Sequence, residues 1–190
     1  LIVWENKNKL LEDGEVDCIW GCFSMNGRED KYLWAGPYLY SRQMVAVRMD
    51  SEIQKLKDLT GKMIAVQETS KAEEYFLRSD FEGIPDVSLV YCFSNMDEVF
   101  AALRKNYVEA ICGHESALIS FINTAPDEYR LLDESFLYSA LGVAFDIQYD
   151  EEFVEELFKT LGDMMNDGTI AAIVGKYGLD AEKSLGRGND

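Results

Sequence analysis

The sequence predicts an α/β fold with largely parallel sheets. Short apolar runs of strand length alternate with amphipathic runs of helical period along most of the chain. The breaks between them carry Gly, Asn, Asp, Ser and Thr, the residues that cap helices and turn chains. The 190 residues suffice for one large domain or two small lobes, with a core that needs neither metal nor disulfide.

Asn6 to Asp13 reads as a short helix, with Gly14 as its C-terminal cap. Val16–Trp20 and Gln43–Met49 read as strands, and Glu52–Leu59 as a helix broken by Thr60-Gly61. Met63–Gln67 reads as a buried strand. A helix from Ser70 to Arg78 follows, and Ser70-Lys71-Ala72-Glu73 fits a capping box. Val87–Phe93 is the next strand. Asn95 caps a helix with Val99, Ala102 and Leu103 on one face. Val108–Cys112 reads as a strand, Glu115–Ile122 as a helix, and Tyr129–Leu132 and Leu141–Phe145 as two further strands. Two helices close the series, Glu151–Asn166 and Thr169–Tyr177, split by Asp167-Gly168. The polar, glycine-containing tail from Ala181 to Asp190 is expected to fray or to act as a linker.

The charge narrows the partners. With 35 acidic and 18 basic residues the net charge is −17, which repels phosphate backbones and anionic lipid, so nucleic acid is not an expected partner. No apolar run is long enough for a membrane-spanning helix. The start, Leu1-Ile2-Val3-Trp4-Glu5, lacks the basic and long apolar segments of an export signal, so any such signal is expected outside this sequence. Cys18, Cys22, Cys92 and Cys112 form no CxxC pair, and the single histidine, His114, gives no metal-ligand spacing. Cys18, Cys92 and Cys112 are expected as small buried hydrophobes, and no disulfide is expected among the four cysteines. No cofactor is expected, since GxGxxG and GxxxxGK are absent, and the GxSxG nucleophile elbow is absent as well.

Three segments are more specific. Gly14-Glu15-Val16-Asp17-Cys18-Ile19-Trp20 leads to Phe23-Ser24-Met25-Asn26-Gly27-Arg28 and then to Trp34-Ala35-Gly36-Pro37-Tyr38. Leu56-Lys57-Asp58-Leu59-Thr60-Gly61-Lys62-Met63-Ile64-Ala65-Val66-Gln67-Glu68-Thr69-Ser70 is the second, and Ala102-Leu103 through Val108-Glu109-Ala110-Ile111 the third. Met165-Asn166-Asp167-Gly168-Thr169 and Lys176-Tyr177-Gly178 add to them. In order and spacing these resemble family 3 solute-binding proteins of amino-acid ABC transporters. Their patterns are a G-x-V-D strand, a Ser/Thr-rich turn ending in Arg, an S-x-P-Y stretch, L-x-D-L-x-G-K-x-V-A-V-x-x-G followed by two Ser or Thr, and A-L-x-x-G-x-V-D-A.

The resemblance implies a two-lobed type II periplasmic-binding-protein fold with a ligand cleft between the lobes. Residues 1–42 and 141–190 would form lobe 1 and residues 43–140 lobe 2, with crossings near Gln43–Met49 and Leu141–Phe145. The sequence begins near the second strand of the family pattern. It is therefore expected to be N-terminally truncated, with the first strand and part of the pocket outside it.

The resemblance also implies site roles. Arg28 falls on the carboxylate-binding arginine, whose guanidinium suits a bidentate carboxylate; the alternative is a solvated loop charge beside Glu29 and Asp30. Ser24 is the matching donor upstream, although the turn is one residue shorter than S-x-T-x-x-R, which leaves the donor at Asn26 open. Gly21 and Cys22 fall where small polar residues face ligand. Thr69 and Ser70 fall on the second carboxylate clamp, with N-capping by Ser70 as the alternative or companion role. His114 takes the place of the Asp that meets the ligand ammonium, and Glu115 can substitute for it; His114 can equally be structural. If His114 meets ligand, lowering the pH is expected to weaken amino-acid binding and strengthen dicarboxylate binding. Trp20 walls the pocket or packs in the core.

The expected function is extracytoplasmic capture, at the cell surface or in the periplasm, of an amino acid or small carboxylate for an ABC permease. The protein is expected to be a monomer. The alternative is the same module fused to a signalling domain, such as a histidine kinase or cyclase. An enzyme of the same fold would need a positioned acid or base, and the residues place none, so no enzyme is expected.

Overall fold

The computed structural model describes residues 2–78, 83 and 85–186. A 3-10 turn, Trp4–Asn6, leads into α1 (Lys7–Glu12), and strand β1 (Leu33–Arg48) follows after a long irregular stretch. Next come β2 (Met63–Gln67), α2 (Lys71–Leu77), β3 (Leu89–Phe93), α3 (Met96–Arg104), β4 (Ala110–His114) and α4 (Glu115–Ile122). The chain continues through β5 (Tyr129–Leu131), β6 (Leu137–Phe145), α5 (Glu151–Asn166), α6 (Thr169–Lys176) and α7 (Ala181–Ser184).

These elements form two compact units. The first holds Leu1–Glu5 and Arg42–Leu137, the second Asn6–Ser41 and Tyr138–Asp190.

In the first unit the strand order is β3-β2-β4-β1-β5. β2 runs parallel to β3 and β4, and β1 runs antiparallel to β4 and β5, so this sheet is mixed rather than largely parallel. Alternate residues go to opposite faces, as the two-residue strand period requires. Val45, Val47, Ile64, Val66, Ala110 and Cys112 pack with Tyr75 and Phe76 of α2. Met44, Ala46, Ala65 and Ile111 pack with Val99 and Leu103 of α3 and Leu118 and Phe121 of α4. With both faces covered, β2 reads as a continuous apolar run. The α3 cap forms as the sequence implies: the Glu98 N–H donates to Asn95 Oδ1 at 3.0 Å.

In the second unit β6 pairs with β1. Ala35, Val143, Phe145, Val154 and Leu161 form one core cluster, and Ile170, Val174 and Leu185 a second, which α7 helps to close. Asp150 caps α5 through the N–H groups of Glu152 and Phe153.

Several expectations need correction. Val16–Trp20 is not a strand; Ile19 alone exchanges two backbone hydrogen bonds with Ala144, at 2.8 and 3.1 Å. Left-handed backbone at Gly14 (φ 68°) and Cys22 (φ 52°) bounds the run on either side and cuts the ladder short. Glu52–Leu59 is not an α-helix. Only Leu56–Leu59 coils, as a 3-10 turn, because Asp58 accepts the N–H groups of Gln54 and Lys55, and Glu134 that of Leu56. Those hydrogen bonds to Asp58 also hold its carboxyl below the usual range. β1 begins ten residues earlier than expected, at Leu33 rather than Gln43, and runs on through Gly36-Pro37 and Ser41-Arg42. The tail does not fray at once: Asp180 caps Ala181–Ser184 and Leu185 is buried, while residues 187–190 lie outside the described residues.

Candidate functional site

In the first unit, the parallel register of Ile64 with Ala110 and Ala65 with Ile111 brings the carboxyl ends of β2 and β4 to one edge of the sheet. Helices α2, α3 and α4 begin at the carboxyl ends of β2, β3 and β4. Such an edge is where open α/β sheets take ligands. Thr69, Ser70, His114 and Glu115 all lie on this edge.

Ser70 caps α2. Its Oγ accepts the Glu73 N–H at 3.2 Å, and its hydroxyl donates to the Gln67 carbonyl at 2.6 Å. The Glu73 carboxylate reaches back to the Thr69 N–H at 2.7 Å, one residue earlier than in a standard capping box. Glu73 also bonds the Cys92 thiol, which burial, first, and this carboxylate, second, push up to about 12. Thr69 has φ 55°, in the left-handed region that a β-branched residue rarely adopts. Laid without gaps on the motif quoted above, Thr69 falls on its glycine, Ser70 on the first Ser/Thr and Lys71 on the second. Lys71 is buried, and its ammonium lies 2.7 Å from Glu74.

The left-handed Thr69 predicts a measurable effect. Left-handed backbone costs a non-glycine residue about 1–2 kcal/mol, and glycine forfeits about 0.5–1 kcal/mol of that through unfolded-state entropy. Thr69→Gly is therefore expected to raise stability by about 0.5–1 kcal/mol in urea unfolding. A loss of stability would show that the threonine side chain outweighs the backbone strain.

His114 ends β4 opposite Gln43 of β1. The Gln43 amide nitrogen lies 3.0 Å from Nδ1 and 3.1 Å from Nε2 of the imidazole. Next to this pair, Arg42 grips Glu115 with two hydrogen bonds: Nε donates to Oε2 at 3.0 Å, and a terminal nitrogen donates to Oε1. Neither Arg42 nor Gln43 is a site residue by sequence reasoning. The available signal is the polar run Ser41-Arg42-Gln43 ahead of the apolar Met44–Val47; Gln43 is only 1% exposed.

Arg28, Ser24, Cys22 and Trp20 lie in the second unit. Arg28 closes a tight turn: its N–H donates to the Met25 carbonyl at 2.8 Å, and its guanidinium donates to the Ser24 carbonyl at 3.1 Å. The guanidinium also sits 4.9 Å from the centroid of the Phe23 ring. Phe23, Tyr32 and Trp34 form an aromatic cluster beneath it, and the Trp34 indole N–H donates to the Arg28 carbonyl at 3.2 Å. Gly142 permits this packing, since a Cβ there would come within 2.7 Å of the Trp34 ring and 2.9 Å of the Met25 sulfur. Asn26 Oδ1 accepts the Ser24 hydroxyl at 3.0 Å and the Ala140 N–H at 2.9 Å, which ties the turn to β6. The guanidinium is thus fixed at its base and half-buried.

Trp20 is 54% exposed, so it is not a core residue of its unit. It meets Tyr38 edge-on at 6.1 Å and hydrogen-bonds its hydroxyl. Burial is the main cause that pushes Tyr38 up to about 12. Cys22 lies between these residues in sequence and has left-handed backbone. Among the described residues no group of three or more His, Cys, Asp or Glu side chains could hold a metal. None of the described helices is long and apolar enough to cross a membrane.

The chemistry of these groups is that of recognition. One unit presents a fixed guanidinium, and the other presents hydroxyls, an imidazole and an Arg–Glu pair at the ends of strands. The family model for bacterial extracellular solute-binding proteins, family 3, matches residues 2–180. The glutamate-binding protein GluB of Corynebacterium efficiens is 27% identical over 172 residues, which are 86% of this chain and 56% of that protein. PatH of Vibrio harveyi, provisionally named an amino-acid ABC transporter-binding protein, is 28% identical over 178 residues, 92% of this chain and 70% of that one. The crystal structure of Tv2483 bound to L-arginine shares the fold with a TM-score of 0.80 and 26% identity, over 93% of this chain and 71% of that one. The chain spans a little over half the length of GluB.

Proposed function

This chain belongs to the bacterial extracellular solute-binding proteins, family 3, and from that premise we propose that it binds an amino acid or a related small polar carboxylate for delivery to an ABC transporter. The observation that carries the reading is the Arg28 turn. Its guanidinium is anchored by the Ser24 carbonyl and the Phe23 ring, so little side-chain freedom remains to be lost when a carboxylate docks. Arg28 takes the α-carboxylate, helped by Ser24 and Cys22. Thr69 and Ser70 form the second carboxylate clamp, Glu115 and His114 receive the ammonium, and Trp20 supplies an aromatic wall. Residues 1–42 with 141–190 make one lobe and residues 43–140 the other.

The relatives support this reading, since two of them are named for glutamate binding and for amino-acid transport. The protein acts outside the cytoplasm, in the periplasm or at the cell surface, as a monomer that meets a permease. It acts as a binding protein rather than an enzyme, a reading supported by the description of its family as solute-binding proteins.

A thermal-shift screen of the twenty amino acids and small dicarboxylates tests the proposal. A ligand at 100 times its Kd is expected to add about 2.7 kcal/mol of stability. No stabilisation by any of them would overturn it.

A further inference from the structure

Arg42 and Glu115 meet one residue beyond the Gln43–His114 pair, at the sheet edge that carries Thr69 and Ser70. Their side chains are 19% and 18% exposed, so most of their water is gone while an approach from solvent remains. The guanidinium offers Nε and a terminal nitrogen to two oxygens, a fork that fits any carboxylate and not Glu115 alone. As a brace the pair is inefficient, because desolvating two charges offsets much of their attraction. As a receptor it has a clear partner. The reading above gives the α-carboxylate to Arg28, so the guanidinium of Arg42 and the carboxylate of Glu115 suit what an acidic ligand has left, a second carboxylate and an ammonium. The net charge of −17 makes such local cations necessary for an acidic ligand to be held.

We propose that Arg42 is a specificity-determining residue that receives the side-chain carboxylate of an acidic amino acid, with Glu115 as the internal carboxylate that fills its fork when no such ligand is bound. This rests on the amino-acid-binding reading above. On binding, the ligand's second carboxylate replaces Glu115 on Arg42, and Glu115 turns to the ligand ammonium, so no charge is left without a partner. A basic side chain in the same place would meet the guanidinium and be rejected.

Titration calorimetry with L-glutamate, L-glutamine and glutarate tests this on the natural protein, Arg42→Gln and Glu115→Gln. The natural protein is expected to prefer glutamate over glutamine by about 30-fold or more, and Arg42→Gln to bring that ratio within about threefold. Glu115→Gln removes the internal competitor, so glutarate, which has no ammonium, is expected to bind about tenfold more tightly. This second arm decides the matter if Arg42→Gln fails to fold by circular dichroism. A glutamate preference that survives Arg42→Gln, or glutarate binding that does not tighten in Glu115→Gln, overturns the inference and leaves amino-acid binding standing. A natural protein that binds no amino acid overturns both.

Discussion

Replacing Arg28 with alanine is expected to weaken binding of a carboxylate ligand by about 2–5 kcal/mol, because a buried charge on the ligand loses its bidentate partner. Folding should survive. The Arg28 side chain donates to the Ser24 carbonyl and covers the Phe23 ring, both local to its turn, and the loss in stability is expected near 1 kcal/mol. Calorimetry measures the first quantity and urea unfolding the second. Arg28→Lys separates charge from geometry: a point charge restores attraction but not the fork, so only part of the affinity should return. Unchanged affinity in Arg28→Ala would remove the residue from the site.

Replacing Leu103 with alanine is expected to cost about 2–5 kcal/mol of stability. Leu103 is fully buried on α3, in the cluster with Ala65, Val99 and Ile111 that seals one face of the sheet. The sheet edge bearing Ser70 and His114 depends on β2 and β4 keeping their register, so this core also supports the site. Urea unfolding of the variant checks the prediction. A change below about 0.5 kcal/mol would mean that the cluster relaxes around the gap.

Much of this architecture follows from local residues. Asn95 with Val99, Ala102 and Leu103 defines α3 because cap and apolar stripe agree. Glu115–Ile122 and Glu151–Asn166 form helices with the bounds that their periodicity implies. Local signals fail where distant groups capture the backbone. Glu52–Leu59 has helical composition, yet Glu134 takes the Leu56 N–H from 78 residues away. Val16–Trp20 is a short apolar run of strand length but meets its partner only at Ile19. The same limit applies to the candidate site. Ser24, Arg28 and Ser70 stand out in short motifs, and Ser70 forms its cap as the motif implies. The Arg42–Glu115 pair joins residues 73 apart, and neither neighbourhood announces the other. Trp20 has the look of a strand residue ready for burial, yet it stays half exposed because its strand never forms.

We propose that this protein holds an amino acid by its α-carboxylate. The most direct test is a pair of calorimetric titrations, with the amino acid that gives the largest thermal shift and with its α-carboxamide. The carboxamide is expected to bind at least about 30-fold more weakly, since a neutral amide cannot satisfy the Arg28 fork. Equal affinity for the two would contradict it.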